Sequence, residues 1–373
     1  LPPNIPAPGT LAFHHGNFVD EYGHANVTEA SAAGHVFADT PLGTYSWGTL
    51  VSRTLNGTTN TTYEWTPPGN GMTGDVLMVA GGGGGGGSHG GGGGAGGLLL
   101  IDNANISGSK TITVGNGGEG GIGYDNNELE LGKNGGNTSF SGFITVIGGG
   151  GGGGDGAGPY RDALNGGSGG GGGYTNGDGG LGVSGPPRQG FEGGSSTSDG
   201  GAGGGGAGGS GNSTSTVNGG DGGPGVTFVD TFTSRYGDQG WFASGGGGSA
   251  RGTNTQGVAS LGGGSNGSNG TVKSDDAQKH TGGGGGGAHY AGNTSQIRGG
   301  SGGSGIVLIN NVPGVTTSPP PSLTYDNFNK LSVNGIDAQT LYEGSNSYAL
   351  GTASSVYIAD PGEYTYFTRT ADY

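Results

Sequence analysis

The sequence predicts an all-β protein. We expect a β-sandwich or jelly-roll-like core with a polyglycine II helix slab, followed by a small C-terminal Ig-like β region. Three observations support this class. Glycine accounts for 103 of the 373 residues, and many of these glycines form uninterrupted runs. Apolar segments of strand length lead into several of the runs. A proline-rich stretch then separates the glycine region from alternating strand patterns near the C-terminus.

The uninterrupted glycine runs are predicted to be ordered. Flexible linkers have no reason to follow sequences typical of buried strands. Here, residues 76–80 precede the first seven-glycine run and residues 143–147 precede the second. A disordered glycine spacer is the alternative. The runs occupy residues 81–87, 90–94, 148–154, 169–173, 203–206, 245–248 and 282–287.

Polyglycine II is the conformation that suits such runs. An α-helix would cost roughly 1 kcal/mol per glycine relative to alanine, and a sheet would lack side chains to pack. An extended helix with three residues per turn has no internal hydrogen bonds, so its backbone groups must bond laterally to neighbours. Glycine alone lets such helices approach closely on every side. We expect β-strands to anchor this lattice at residues 76–80, 98–101, 111–114, 143–147, 226–229 and 306–309.

Changes in composition divide the chain into four parts. Residues 1–75 are an extended proline-rich head followed by a β region, and residues 76–311 are the glycine-rich domain. Residues 312–322 form a stiff proline-rich linker. Residues 323–373 form a small β-sandwich-like region, which is short for an independent core.

Composition also excludes several classes of function. Twelve scattered lysines and arginines against a net charge of −15 argue against nucleic acid as a partner. No apolar stretch is long enough to predict a membrane span, and the chain has no cysteine. The seven histidines fit no zinc pattern and are expected at the surface. With no catalytic motif, the sequence predicts neither an enzyme nor a cofactor or metal site.

Asn-x-Ser/Thr triplets suggest the compartment. If the protein passes through a secretory pathway, each is a potential glycan acceptor; the alternative is that they are turn-forming polar residues. Together with a first residue other than methionine, they favour an extracellular location or the surface of a cell or virion. The acceptor asparagines are Asn26, Asn56, Asn60, Asn105, Asn137, Asn212, Asn266, Asn269 and Asn293.

Several sequence strings resemble a known family. They include VLMVAGGGGGGGSHGGGGGAGGLLL, KTITVGNGGEGG, GNTSFSGFITVIGGGGGGG and GGSGGSGIVLI, and the resemblance extends over about residues 66–310. Together they are similar to the glycine-rich domain family of environmental and marine surface proteins, which is akin in style to the polyglycine tip adhesins of phage tail fibres. In those adhesins the glycine helices form a sandwich, and the resemblance implies that loops between them bind a receptor.

Aromatic and basic residues cluster in the loops of the glycine region. Such side chains supply rigid contact area for sugars or for another subunit. Plugging the ends of the lattice is the alternative role. The candidates for a receptor or subunit contact are Tyr160, Arg161, Tyr174, Arg188, Phe191, Tyr236 and Tyr290.

These features favour a non-enzymatic structural subunit of an extracellular, glycosylated fibril or surface appendage. Copies are expected to polymerise head to tail, with Leu11 and Phe13 on a strand that pairs with another copy. A frayed terminus is the alternative for this segment. The second functional hypothesis is a phage tail-fibre or cell-surface adhesin that binds a surface glycan or another receptor through the loops between glycine runs.

Overall fold

The computed structural model divides the chain into two compact units, residues 1–36 with 46–311, and residues 37–45 with 312–373. The structure describes residues 10–14, 34–40, 43–56, 60–67, 71–123, 130–156, 158–270, 273–289, 298–310, 323–326, 330–333 and 336–337.

Strands make up most of the regular structure, as predicted for an all-β protein. One short α-helix, α1 (Val229–Phe232), and a 3₁₀ turn at Gly158–Tyr160 accompany them in the described residues. The strands are β1 (Thr10–His14), β2 (Gly34–Thr40), β3 (Gly43–Asn56), β4 (Asn60–Thr66), β5 (Met72–Val79), β6 (Leu98–Ile106), β7 (Lys110–Gly115), β8 (Ser139–Phe140), β9 (Val226–Thr227), β10 (Trp241–Phe242), β11 (Ile306–Asn310), β12 (Leu323–Asp326), β13 (Lys330–Val333) and β14 (Ile336–Asp337).

Two antiparallel sheets contain most of the strands of the first unit. One has the strand order β1-β11-β5-β6, and the other has the order β2-β3-β4-β7-β8. Strand β4 alternates buried and half-buried residues, as expected for a strand with one face on a core. Its Tyr63 and Trp65 lie with ring centres 5.3 and 5.8 Å from that of Phe13 on β1. Side chains of the first sheet thus pack against side chains of the second.

The opposite face of the first sheet packs on a second apolar cluster. Leu77 of β5 and Leu308 of β11 contribute side chains to it. Phe232 of α1 and Phe242 of β10 cover them, and all four residues are fully buried. Strand β11 therefore has apolar layers on both faces, which explains its continuous buried run Ile306–Ile309.

Most of the predicted strand runs are confirmed, with two exceptions. Residues 76–80, 98–101, 111–114 and 306–309 fall on or overlap β5, β6, β7 and β11. The prediction for 143–147 is wrong: only Val146 makes a bridge, to Thr138, and Ile144 is 53% exposed. A turn after β8 leaves this segment without a strand partner along its length. At 226–229, β9 ends at Thr227 and α1 begins at Val229.

The second unit contains an antiparallel three-stranded sheet in the order β12-β13-β14. Leu323 pairs with Val333, and Val333 pairs with Ile336. The remaining residues of the predicted Ig-like region lie outside the described part of the chain. Its completion as a sandwich, and the linker at 312–322, stay predictions.

The glycine runs form a polyglycine II lattice. In residues 81–87, backbone amides three positions apart donate to the same neighbouring segment, as a helix with three residues per turn requires. All of these hydrogen bonds measure 2.7–3.0 Å. The amides of 81–87 donate to segments 91–94, 130–136 and 300–303, and its carbonyls accept from 118–121, 149–152 and 285–288.

The lattice is concentric, with segments arranged in a ring around a central one, where the sequence predicts a slab. Residues 90–97, the central segment, bond to six surrounding segments, and each of these bonds to the next around a closed ring. A closed ring gives every backbone group of the central segment a hydrogen-bond partner. In a thin slab, more backbone groups would lack a neighbouring segment. The inner ring consists of 81–87, 147–154, 168–173, 201–206, 243–249 and 281–288.

Outer segments enclose this ring and have a different sequence pattern. Several of them carry a side chain at every third position, separated by glycine pairs. From Asn218 to Pro224, for example, Asn218, Asp221 and Pro224 are exposed, whereas Gly220 and Gly223 are buried. The outer segments are 116–121, 130–137, 161–166, 177–183, 189–196, 209–214, 219–225, 255–261, 263–269, 273–279 and 298–304.

Candidate functional site

The lattice has two ends, and the predicted contact residues are divided between them. At the strand end, 81–87 and 90–97 join β5 and β6; at the turn end, they join each other through Ser88 and His89. Tyr160, Arg161 and Tyr174 lie at the turn end, whereas Arg188, Phe191 and Tyr236 lie at the strand end. Tyr290 is outside the described residues. No single surface therefore gathers the whole predicted set.

His89 is the centre of a buried cluster at the turn end. Its Nδ1 lies 3.1 Å from Asp155 Oδ2, and both side chains are about 10% exposed. Its ring lies 5.0 Å from the Tyr174 ring and 5.1 Å from the His289 ring, measured between centroids. The Arg161 guanidinium stacks 4.9 Å from the centre of the Tyr174 ring. Cation, aromatic ring and imidazole thus form a continuous stack.

Ser88, His89 and Asp155 do not form a catalytic triad. Such a triad needs the serine and the carboxylate on opposite nitrogens of the imidazole. Here Ser88 Oγ lies 3.3 Å from His89 Nδ1, the same nitrogen that contacts Asp155. Ser88 Oγ also donates to Asp155 at 3.4 Å. The arrangement fixes the turn between two glycine segments and leaves no path from serine through the ring to the carboxylate.

His289 is buried beside this stack and is neutral near pH 7. Burial first, and then the proximity of His89 and Arg251, lower its pKa to about 4. Its Nε2 accepts the backbone N–H of Gly252 at 3.0 Å, so the neutral ring carries its proton on Nδ1. That Nδ1 is buried and has no hydrogen-bond partner. The ring therefore packs as a mostly apolar group at the turn end.

The strand end presents a smaller surface feature. The Arg188 guanidinium stacks 4.4 Å from the centre of the Phe191 ring, and Arg188 is exposed. Tyr236 is 6% exposed and packs in the apolar cluster with Phe232 and Phe242. Within this chain, Tyr236 therefore contributes its ring to the core.

Leu11 and Phe13 are buried within their own chain. They lie on β1, which pairs antiparallel with β11 and, among the described strands, has no other partner in its sheet. Leu11 is 4% exposed and Phe13 is 1% exposed. The structure thus places β1 on an edge of its own sheet, and exchange of this strand between copies stays a prediction.

The sequon asparagines differ in exposure. Asn105 and Asn212 are exposed. Asn137 and Asn266 are also exposed, and each accepts a backbone N–H through Oδ1. Asn60 and Asn269 are half-buried. Asn26, Asn293 and the side chain of Asn56 lie outside the described residues.

Sequence reasoning missed a group of residues that complete the outer lattice. Asn134 Oδ1 accepts the N–H of Gly151 at 2.9 Å, and its Nδ2 donates to Asn165 O at 3.1 Å. Asp221 Oδ1 likewise accepts the N–H of Val258 at 2.9 Å. These side chains replace a missing neighbouring segment. The signal was present as asparagine and aspartate repeating every third residue between glycine pairs.

Within the described ranges, no group of three or more histidine, cysteine or carboxylate side chains is arranged to hold a metal ion. His14, which the sequence placed at the surface, is buried at 8% exposure because β1 carries it into the sheet. None of the described helices has the length and apolar character that crossing a membrane requires.

Comparison with known proteins agrees with this architecture. The family model described as "Glycine-rich domain" matches residues 58–311, which is more than half of the chain. The matched region extends from just before β4 to just past β11 and includes all of the glycine segments. No curated protein matches the chain. The chain belongs to the glycine-rich domain family.

Proposed function

We propose that this protein is a non-enzymatic structural subunit of an extracellular, glycosylated fibril or surface appendage. The observation that carries the proposal is the two-shell glycine lattice. Every N–H of residues 81–87 bonds to the backbone of another segment. The centre of such a lattice is held together by backbone hydrogen bonds and contains almost no side chains. This construction suits a stiff spacer.

Close packing gives the lattice little room to deform. A Cβ added at Gly84 would lie 2.1 Å from Glu119 O, and one at Gly93 would lie 2.1 Å from Gly83 O. Neighbouring backbones are therefore already in contact. Bending or sliding one segment would break hydrogen bonds to several neighbours at once, so the lattice resists local opening.

Strand β1 supports the head-to-tail element of the proposal. It is short and, in the described part of the chain, lies at a sheet edge with β11 as its one strand partner. The same pairing can form when the strand comes from a second copy, since the contacts are unchanged. A chain of such exchanges is heterologous and grows into a filament when the rotation between copies does not close.

Deletion of residues 1–14 tests this joint. We expect the deletion to abolish assembly, scored by negative-stain microscopy and light scattering. Amide exchange across 81–87 and 148–154 should remain slow, which would show that the lattice is still folded. A truncated protein that polymerises normally would exclude β1 as the joint. Dispersed monomers of the full chain under native conditions would count against the fibril itself.

A second candidate function is an adhesin that binds a surface glycan or another receptor at the turn end. It is favoured by the stack of Arg161 on Tyr174, with the half-buried Tyr160 next to Arg161. Tyr160→Ala and Arg161→Ala should then reduce attachment to a target surface without changing stability greatly. Arg188→Ala, which alters a similar cation–ring pair at the strand end, is the matched control. Equal attachment by all variants would reject this candidate.

A further inference from the structure

We propose that His14 and His280 make the release of strand β1 acid-sensitive, so that acid promotes exchange of this strand between copies. This inference rests on the proposed function, because it concerns the regulation of the same joint. Two observations of the β1 site support it: the close approach of two imidazoles, and buried polar atoms that the intramolecular position leaves unpaired.

The two imidazoles meet where β1 ends. His14 is the last residue of β1, and its ring centroid lies 4.5 Å from that of His280, edge to face. His280 is held by Ser304, whose Oγ accepts the His280 N–H at 3.0 Å and lies 3.2 Å from its Nδ1. If both rings were protonated at this distance, their charges would repel each other in a buried site.

The position of β1 is also imperfectly satisfied. Thr10 Oγ1 and His14 Nδ1, at opposite ends of the strand, are buried without a hydrogen-bond partner. A buried polar atom without a partner carries a desolvation penalty. Opening of the strand would return both atoms to water. Two interactions oppose opening of the strand: the burial of Phe13 and the hydrogen bond that Tyr63 OH donates to His14 O at 2.5 Å.

Among the described residues, no charged group on the neighbouring strands offsets a charge on His14. Strand β4 contributes Tyr63, bonded to the His14 carbonyl, and Glu64, whose carboxylate accepts from Thr111 on the exposed face. The titratable residue of strand β7 is Lys110, whose positive charge would not balance one on His14, and β11 has no titratable residue. Burial and then His280 lower the pKa of His14 to about 3.

The direction of the effect follows from linkage. The pKa of the released His14 returns to its ordinary value of 6.5, so the released strand binds a proton that the seated strand excludes. Opening therefore becomes more favourable as pH falls below 6.5, by about tenfold per pH unit until the pH approaches 3. Between pH 7.5 and 4.5 the opening equilibrium should shift about 100-fold toward the released strand.

Hydrogen exchange of the full chain at low concentration measures the opening itself. After correction for intrinsic exchange rates, opening of residues 10–14 should rise about 100-fold between pH 7.5 and 4.5. In His14→Phe the rise should be lost, and His14→Gln serves if the phenylalanine variant does not fold. His289→Gln, which removes the other low-pKa histidine at the far end of the lattice, should keep the full rise. A wild-type opening that does not change with pH, or an equal rise in the His14 variants, would overturn the inference.

Mixing two fluorescently labelled populations separates this inference from the proposed function. Energy transfer that appears faster at pH 4.5 than at pH 7.5 supports both. If acid opens β1 but no energy transfer appears, the result supports acid control by His14 and His280 and contradicts assembly by strand exchange. Energy transfer at the same rate at both pH values supports strand exchange and overturns acid control.

Discussion

The inner and outer segments of the lattice share one backbone conformation but differ in sequence. Inner segments are surrounded on almost every side and tolerate almost no side chain. Outer segments have an open side and contain more residues other than glycine, which in segments such as 116–121, 219–225 and 298–304 recur at every third position. The number of side chains per turn therefore reports how many neighbours a segment lacks. An uninterrupted glycine run marks an enclosed segment.

Exceptions within the inner segments follow the same rule. Ala95 interrupts the central segment, and its methyl group packs with Leu77, Val79 and Phe242 in the apolar cluster at the strand end. Ala288, where an inner segment approaches the turn end, is also fully buried. Small side chains are therefore accepted where a segment passes from the lattice into another kind of packing.

The largest expected effect is a side chain added to an inner segment. In Gly84→Ala the new Cβ would lie 2.1 Å from Glu119 O and 2.4 Å from its carbonyl carbon. We expect a loss of more than about 4 kcal/mol in the free energy of unfolding, measured by urea denaturation, because packed backbone must move. Gly185→Ala is the matched control, since a Cβ there would meet nothing within 4 Å. A change under about 0.5 kcal/mol in Gly84→Ala would contradict the lattice.

A smaller effect is expected from the side chains that complete the outer shell. Asn134→Ala removes the acceptor of the Gly151 N–H and the donor to Asn165 O. The loss should be about 1–3 kcal/mol, because a buried amide loses its partner. Asn212→Ala, at an exposed asparagine of another outer segment, should stay within about 0.5 kcal/mol. If the two variants lost equal stability, the side chain of Asn134 would not be taking the place of a neighbouring glycine segment.

Acid should weaken the turn end in a defined pH range. In the folded protein the pKa of His289 is about 4, below its ordinary value of 6.5, so the unfolded chain binds a proton more readily. Its contribution to stability is therefore complete above pH 6.5 and is lost as pH falls toward 4. Unfolding free energy measured from pH 7.5 to 4 should fall less steeply in His289→Gln than in the wild type. Parallel curves would show that His289 does not contribute.

Glycans should have the smallest effect on folding, and we expect them only at exposed asparagines. Glycopeptide mapping after expression in a secretory host should find Asn105 and Asn212 occupied, because both side chains are exposed. Asn105→Gln should change the free energy of unfolding by less than about 0.5 kcal/mol. Absence of glycan from every sequon would remove the sequons as support for an extracellular fibril.

Much of the β framework could be predicted from local patterns. Runs such as those in β5 and β11 are apolar and of strand length, and they are buried as expected. The run at 143–147 has the same composition but no strand partner, which local sequence does not encode. The turn-end cluster was equally hidden, because His89, Asp155 and His289 are far apart in the chain.

The sequence by itself determined which residues form the enclosed, inner part of the lattice. Runs of glycine exclude helix and sheet on energetic grounds and permit close lateral packing, so the conformation and the inner segments can be read directly. Only the tertiary structure decided the order of neighbours around the central segment, the closure of the ring and the position of β1 on β11. Glycine backbones are interchangeable as lateral partners, and no local pattern distinguishes one neighbour from another. The β-strands at the strand end of the lattice and the turns between segments determine which segments become neighbours.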